Sequence, residues 1–184
     1  MLHAPASRRR FLSRSASLAA VAALPLVTTS VRAATVPSRD LALFHAHTQE
    51  TLDVVYAVGP QYLPDALGSL NHLLRDHYSG AIGRMDPQLF DLLHRVRQLL
   101  GNGNPFEVYS AYREPATNQH LRQTREGGVA VRSLHMEGRA IDLRLPGTPL
   151  AELRDAALSL RAGGVGYYPR DGFVHIDTGR VRSW

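Results

Sequence analysis

The sequence contains no cysteine and no lysine, and its apolar runs are short. Without cysteine there can be no disulfide bond and no lipidated amino-terminal cysteine, so the fold must depend on its hydrophobic core. A chain of about 150 residues can bury an adequate core as a single domain. The apolar stretch over residues 18–27 is too short to cross a bilayer, which needs about 20 residues. No repeat or low-complexity linker divides the chain, and we expect one folded domain.

Residues 1–33 have the three parts of a secretory signal peptide. Arg8, Arg9 and Arg10 form a basic start, the apolar stretch follows, and residues 31–33 resemble a cleavage site. The paired arginines followed by Phe11 and Leu12 resemble a twin-arginine signal, which would imply export of an already folded protein. We therefore predict a signal peptide over 1–33 and a monomeric periplasmic domain over 34–184. That domain is expected to have no stable membrane insertion once the signal is removed.

The positive charge of the chain lies in its predicted signal. All 21 basic residues are arginine, and five of them, but none of the 16 acidic residues, fall within residues 1–33. The predicted mature chain therefore has equal numbers of arginines and acids, and its net charge is zero. The sequence pI of about 10.1 belongs to the precursor. It gives no reason to expect a nucleic-acid partner.

Strand and helix patterns are mixed along the predicted domain. Residues 41–47 and 52–58 are predicted to form a hairpin, and residues 165–168 and 173–178 a second one. Further strands are predicted over 106–111 and 140–145. Helices are predicted over 64–77, 87–100, 115–125 and from 148 to the glycines at 163–164. Since there is no regular βαβ alternation, the sequence predicts an α+β fold with a small, mainly antiparallel sheet and flanking helices.

Two of the predicted strands include side chains that bind metals. Alternation of apolar and polar residues over 140–145 places Asp142 on the face opposite the core, seven residues after His135. The same alternation over 173–178 places His175 and Asp177 together on one face. Two imidazoles and one carboxylate can hold Zn²⁺ and leave a position open for water. We predict a zinc centre at His135, Asp142 and His175 in a metal-dependent hydrolase; from spacing alone, ordinary surface histidines are the alternative.

Several ordered motifs identify a family resemblance. They are S-A-Y-R at 110–113, S-x-H-x-x-G-x-A-x-D at 133–142, G-G-V-G-Y-Y at 163–168, F-V-H-I-D-T-G at 173–179 and the terminal R-S-W. The chain resembles the MepK-type murein endopeptidases, exported zinc enzymes of the D-Ala-D-Ala metallopeptidase group, related more distantly to the hedgehog signalling domain. The resemblance covers essentially the whole mature chain. It implies a hedgehog-like fold, a peptidoglycan peptide substrate, and Zn²⁺ on His135, Asp142 and His175.

The resemblance implies a substrate-contacting role for Arg113, on an oxyanion or a substrate carboxylate, and a structural ion pair is the alternative. It does not identify the general base. Dipeptidase members of the group have a glutamate three residues before the last histidine ligand, where this chain has Gly172. Asp177 is the candidate base, and its alternative role is to orient a ligand imidazole. Glu137 is the second candidate.

Two other functions remain open at this stage. A carboxypeptidase or dipeptidase that trims terminal D-residues would use the same zinc ligands. A non-catalytic zinc-containing binding module, as in the hedgehog branch, would keep the metal without hydrolysis. The leading hypothesis is a zinc-dependent endopeptidase that opens peptide cross-links of the cell wall.

Overall fold

The computed structural model of the protein describes residues 36–124 and 129–184. The predicted signal peptide and Arg125 lie outside the described residues. The strands are β1 (Ser38–His45), β2 (Thr51–Val58), β3 (Gln61–Tyr62), β4 (Phe106–Ser110), β5 (Ala140–Arg144), β6 (Gly164–Tyr168), β7 (Phe173–Asp177) and β8 (Arg182–Ser183). The helices are α1 (Pro64–Leu73), α2 (Pro87–Leu100), α3 (Pro115–Thr124) and α4 (Leu150–Ser159), with a short 3₁₀ helix at Leu134–Glu137.

The strands form one eight-stranded sheet in the order β3-β2-β1-β4-β5-β7-β6-β8. The β1–β4 and β6–β8 pairs are parallel, and the other neighbouring pairs are antiparallel. The predicted α+β class is confirmed, but the small, mainly antiparallel sheet is corrected to a large mixed one. The reason is non-local. The chain passes through α1 and α2 before β4 joins β1, and such a crossover connection permits parallel pairing.

Local signals placed most elements correctly. Helix α2 begins where Asp86 accepts a hydrogen bond from the Gln88 N–H, and it ends at Gly101, which has a φ of 60°. Helices α1 and α4 are shorter than the sequence predicted, and the short strands β3 and β8 were not predicted. Within the two described ranges, no helix combines the length and apolar character needed to cross a membrane.

One face of the sheet is apolar, and the other face includes a row of residues that contains the candidate ligands Asp142 and His175. Helices α2 and α4 pack against each other and contact β1, β6 and β7. Residues Val108, Leu143 and Val174 are fully buried neighbours in adjacent strands. One position along β5 and β7, the side chains alternate to the other face. In β4 the register shifts between Val108 and Ser110, and this shift places Ser110 opposite Asp142. The row on that face crosses four neighbouring strands: Ser110, Asp142, His175 and Gly166.

Candidate metal centre

The three predicted zinc ligands meet at one point. Their ligand atoms all lie within 4.8 Å of one another. His135 Nε2 is 3.3 Å from His175 Nδ1 and 3.3 Å from Asp142 Oδ2, and His175 Nδ1 is 2.8 Å from Asp142 Oδ1. Ligands about 2.0 Å from a tetrahedral zinc ion are about 3.3 Å apart. The spacing and chemistry of these three side chains therefore fit a zinc ion.

His135 is positioned by the short 3₁₀ helix. Ser133 begins this helix and accepts the His135 N–H on its Oγ, and Gly138 ends it with a φ of 66°. A Cβ on Gly138 would overlap the carbonyl oxygen of Arg84, so glycine is required there. His135 Nδ1 lies 2.6 Å from the Ala111 carbonyl oxygen, which can only accept a hydrogen bond. Nδ1 therefore has the proton, and the Nε2 lone pair faces the other two ligands.

His175 is held in a similar way on β7. Its Nε2 lies 3.1 Å from Asp177 Oδ2, and a carboxylate accepts a hydrogen bond from an imidazole N–H. In the neutral ring, Nδ1 then directs its lone pair towards Asp142 and His135. Each histidine thus uses its outer nitrogen for a protein hydrogen bond and presents the other nitrogen to the centre, as metal-binding histidines commonly do.

Asp177 is fully buried on the far side of His175 from the convergence point. Its Oδ1 accepts from the N–H groups of Gly164 and Gly179, at 3.0 and 2.7 Å. Arg182 donates to Oδ1 and Oδ2 from its two terminal nitrogens, at 3.1 and 2.7 Å. Burial acts to raise the pKa of Asp177, but the hydrogen bonds from His175 and Arg182 outweigh it and hold the pKa well below its usual range.

Asp142 is shared between the two histidines and Arg113. Arg113 Nη2 donates to Asp142 Oδ2 at 3.0 Å, and its Nε donates to Ser110 Oγ at 3.0 Å. Burial acts to raise the pKa of Asp142, but its interactions with the adjacent His135 and His175 imidazoles lower it far below its usual range. The carboxylate is therefore ionised, as a metal ligand must be.

The two histidines differ in their electrostatic surroundings. Burial lowers the pKa of His135, which favours the neutral imidazole. Burial also acts to lower the pKa of His175, but the hydrogen bonds to Asp142 and Asp177 raise it to about 9. A bound cation at the centre would favour the neutral form of both rings, because a proton and a metal compete for the same lone pair.

A cavity of about 660 Å³ opens above the three ligands. Its aromatic wall consists of Tyr168, Phe173 and Trp184. Tyr168 and Phe173 are stacked with ring centroids 4.7 Å apart, and the Trp184 ring lies 5.3 Å from the ring of His175. The Trp184 indole N–H donates to the Tyr168 hydroxyl at 2.6 Å. This volume and lining suit a peptide-sized ligand next to the metal centre.

The other two candidate residues, Arg113 and Glu137, lie in different surroundings. Arg113 lines the cavity. Glu137 is exposed, pairs with Arg139 at 3.2 Å, and is not among the cavity-lining residues. Sequence reasoning assigned no role to Arg182 or Trp184, although both lie in the terminal R-S-W motif. A two-residue strand gives no periodic signal, so only that motif could have indicated them.

Comparisons with known proteins identify the family of the chain. The family model described as peptidoglycan L,D-endopeptidase MepK matches residues 33–184. The chain is 42% identical over 179 residues to the peptidoglycan L,D-endopeptidase MepK of Escherichia coli K12, covering 97% of each chain. It is 36% identical to the probable peptidoglycan L,D-endopeptidase MepK of Haemophilus influenzae, covering 97% of this chain and 95% of the relative.

No solved structure matches the chain at a significant level. The family resemblance predicted from the ordered motifs is confirmed, since the match extends over the described domain and includes all three candidate ligands. On this evidence the chain belongs to the MepK family of peptidoglycan L,D-endopeptidases.

Proposed function

We propose that this protein is a zinc-dependent peptidoglycan endopeptidase that hydrolyses peptide cross-links of the cell wall. The observation that carries the proposal is the convergence of His135 Nε2, His175 Nδ1 and the Asp142 carboxylate beneath an open cavity. Membership of a family whose relatives are named peptidoglycan L,D-endopeptidases supports the substrate class. Three protein ligands leave one tetrahedral position for water, which distinguishes a catalytic zinc site from a structural one.

Zn²⁺, when bound, would supply Lewis acidity and lower the pKa of a water molecule towards about 7. The residues of the chain supply the rest. His135 and His175 hold their lone pairs on the centre because their outer nitrogens are bonded to Ala111 and Asp177. Arg113 fixes the Asp142 carboxylate through its Nη2. The aromatic wall of the cavity excludes part of the solvent from the reacting bond.

The geometry favours an orienting role for Asp177 over that of general base. Both of its oxygens accept hydrogen bonds from His175, Arg182 or the two backbone N–H groups. A base must reach the attacking water, whereas Asp177 contacts the nitrogen of His175 that faces away from the other ligands. Arg113 is likewise proposed to position Asp142, while contact with substrate remains compatible with its place in the cavity wall.

The proposal extends to the organisation of the precursor. Residues 1–33 are proposed to be a twin-arginine signal peptide, and residues 34–184 a monomeric zinc peptidase domain that acts in the periplasm. The cell-wall activity named for the relatives is consistent with that compartment. We further propose that the fold is the hedgehog-like fold of the D-Ala-D-Ala metallopeptidase group.

Digestion of purified sacculi tests the proposed activity. The purified mature protein should release un-cross-linked muropeptides, and a chelator should stop the release until zinc is restored. His135→Ala and His175→Ala should both lose zinc and activity, whereas His120→Ala, a matched change at an exposed histidine of α3, should keep both.

The products distinguish the alternatives. Release of single D-amino acids from chain ends would identify a carboxypeptidase or dipeptidase instead. Stoichiometric zinc without any released product would identify a binding module. Stoichiometric zinc retained by both His135→Ala and His175→Ala would rule out the proposed metal centre.

A further inference from the structure

The cavity above the metal centre is lined by three arginines that differ in their partners. They are Arg113, Arg132 and Arg182. Arg113 is paired with Asp142 at 3.0 Å. Arg182 is paired with the fully buried Asp177 at 2.7 Å, and its guanidinium lies 4.7 Å from the centroid of the Trp184 ring. In each pair a carboxylate of the protein balances the positive charge, and removing the arginine would take a charged partner away from a buried carboxylate.

Arg132 is different. Its side chain is exposed, and among the described residues it has no hydrogen bond, ion pair or ring contact. It lies three residues before the ligand His135, so the two Cα atoms are at most about 11 Å apart. An arginine side chain in the cavity wall at that distance can contact a ligand group close to the metal centre.

We propose that Arg132 binds a carboxylate of the substrate next to the bond that is cut, an inference that rests on the proposed function. The guanidinium presents a planar pair of N–H donors that matches a carboxylate, and such charge-assisted pairs are stronger than neutral hydrogen bonds. Arg113 and Arg182 already satisfy carboxylates of the protein. Among the described arginines that line the cavity, Arg132 can therefore bind an acidic substrate without breaking an internal pair.

The chemistry of the proposed substrate fits this position. A peptide cross-link to meso-diaminopimelate is an amide on its side-chain amine. The carbon atom attached to that nitrogen also bears a carboxylate. That carboxylate therefore lies two bonds from the amide nitrogen. When the amide carbonyl is at the metal centre, this group is within reach of the cavity wall. A cation there would favour cross-linked diaminopimelate over neutral peptides of the same length.

Binding and cleavage of three soluble cross-linked peptide dimers test the proposal. The first dimer has free carboxylates, the second is amidated at the diaminopimelate carboxylates, and the third is amidated only at its chain ends. Calorimetry in chelator measures the Kd without hydrolysis, and kcat/KM is measured with zinc. The wild-type protein should bind the first and third dimers about 10- to 100-fold more tightly than the second, the range expected for hydrogen bonds to charged groups.

Arg132→Gln should lose this preference and bind all three dimers as weakly as the wild type binds the second. Arg132→Lys should recover part of it. Arg95→Gln, which removes an exposed arginine of α2 outside the cavity, should bind like the wild type. Unchanged preference in Arg132→Gln, or loss of binding on amidation of the chain ends alone, would overturn the proposal. If the wild-type protein shows the expected binding preference but does not cleave the dimers in the presence of zinc, the proposed function is contradicted and the role of Arg132 in binding is not.

Discussion

Asp177 lies in hydrogen-bond contact with His175, one of the three proposed zinc ligands. Its oxygens accept hydrogen bonds from Arg182, from two backbone N–H groups and from His175. Those bonds fix the carboxylate on the outer side of the imidazole, so it can set the orientation and basicity of His175. Carboxylates that hold a ligand histidine in this way typically change metal affinity by 10- to 100-fold.

We therefore expect Asp177→Asn to weaken zinc binding by about 10- to 100-fold and to recover most of its activity in excess zinc. The amide NH₂ faces either His175 and Arg182 Nη2, or the two glycine N–H groups and Arg182 Nη1, so the hydrogen bonds on one side are lost. Zinc affinity and kcat on a cross-linked muropeptide, both measured across a zinc titration, check this expectation. Asp53→Asn is the matched control, because Asp53 is an exposed aspartate of β2 that does not line the cavity.

The opposite result has a clear meaning. If Asp177→Asn binds zinc as tightly as the wild type yet loses about 10²–10⁴ in rate at saturating zinc, Asp177 is the general base. If the orienting role holds, Asp171 becomes the next carboxylate to test for proton transfer. Glu137 is a poorer choice, because it is paired with Arg139 outside the cavity lining.

The sequence predicted which side chains share a face, but not what each one contacts. Period-two alternation placed Asp142, His175 and Asp177 on the non-core face, and the register of β5 with β7 pairs Asp142 with His175. The direction of the Asp177 carboxylate depends on Arg182 and on the amides of Gly164 and Gly179. Those contacts come from other turns and strands, and no local pattern encodes them.

At the scale of helices and strands, local patterns likewise predicted the elements but not their neighbours in the sheet. Hairpins and helices follow from local alternation, caps and turn residues, and these were predicted within a few residues. Strand β8 has only two residues and pairs in parallel with β6, so its position depends on the path of the chain after β7. The mixed character of the sheet could not be predicted for the same reason, because parallel neighbours are set by crossovers and not by sequence periodicity.

Strand β8 brings Trp184 against His175 of the candidate metal centre. The Trp184 N–H donates to the Val165 carbonyl oxygen, and the Tyr167 N–H donates to the Trp184 carbonyl oxygen. The indole covers Gly166, where a Cβ would lie 2.7 Å from its ring. Glycine at this position therefore lets the indole lie against His175.

The chain contains a single tryptophan, so its fluorescence reports on this contact. We expect zinc binding to change Trp184 fluorescence in the wild type, because the His175 ring is 5.3 Å away. Gly166→Val should displace the indole and reduce the zinc-dependent change by more than half, while zinc still binds. Gly103→Ala is the control, since a Cβ there meets no atom within 4 Å. A full zinc response in Gly166→Val would contradict the described packing.

The proposed zinc centre also bears on when the protein would bind its metal ion. His135 and His175 are 40 residues apart, and Asp142 joins them only through the pairing of β5 with β7. A site of this kind does not exist in the unfolded chain, so zinc binding is coupled to folding. Export in the folded state would let the protein bind zinc in the cytoplasm, where competing metals differ from those outside.

The paired arginines of the predicted signal test this link between folding and export. Replacing Arg8 and Arg9 by lysine keeps the charge of the basic start but should leave the folded precursor in the cytoplasm, if the twin-arginine route is used. Arg14→Lys is the matched control, because it preserves the charge outside the pair and should be exported normally. Fractionation and immunoblotting would compare the precursor and mature forms. Normal processing of the Arg8/Arg9 double variant would show that the general secretory route suffices, and zinc would then have to bind after translocation.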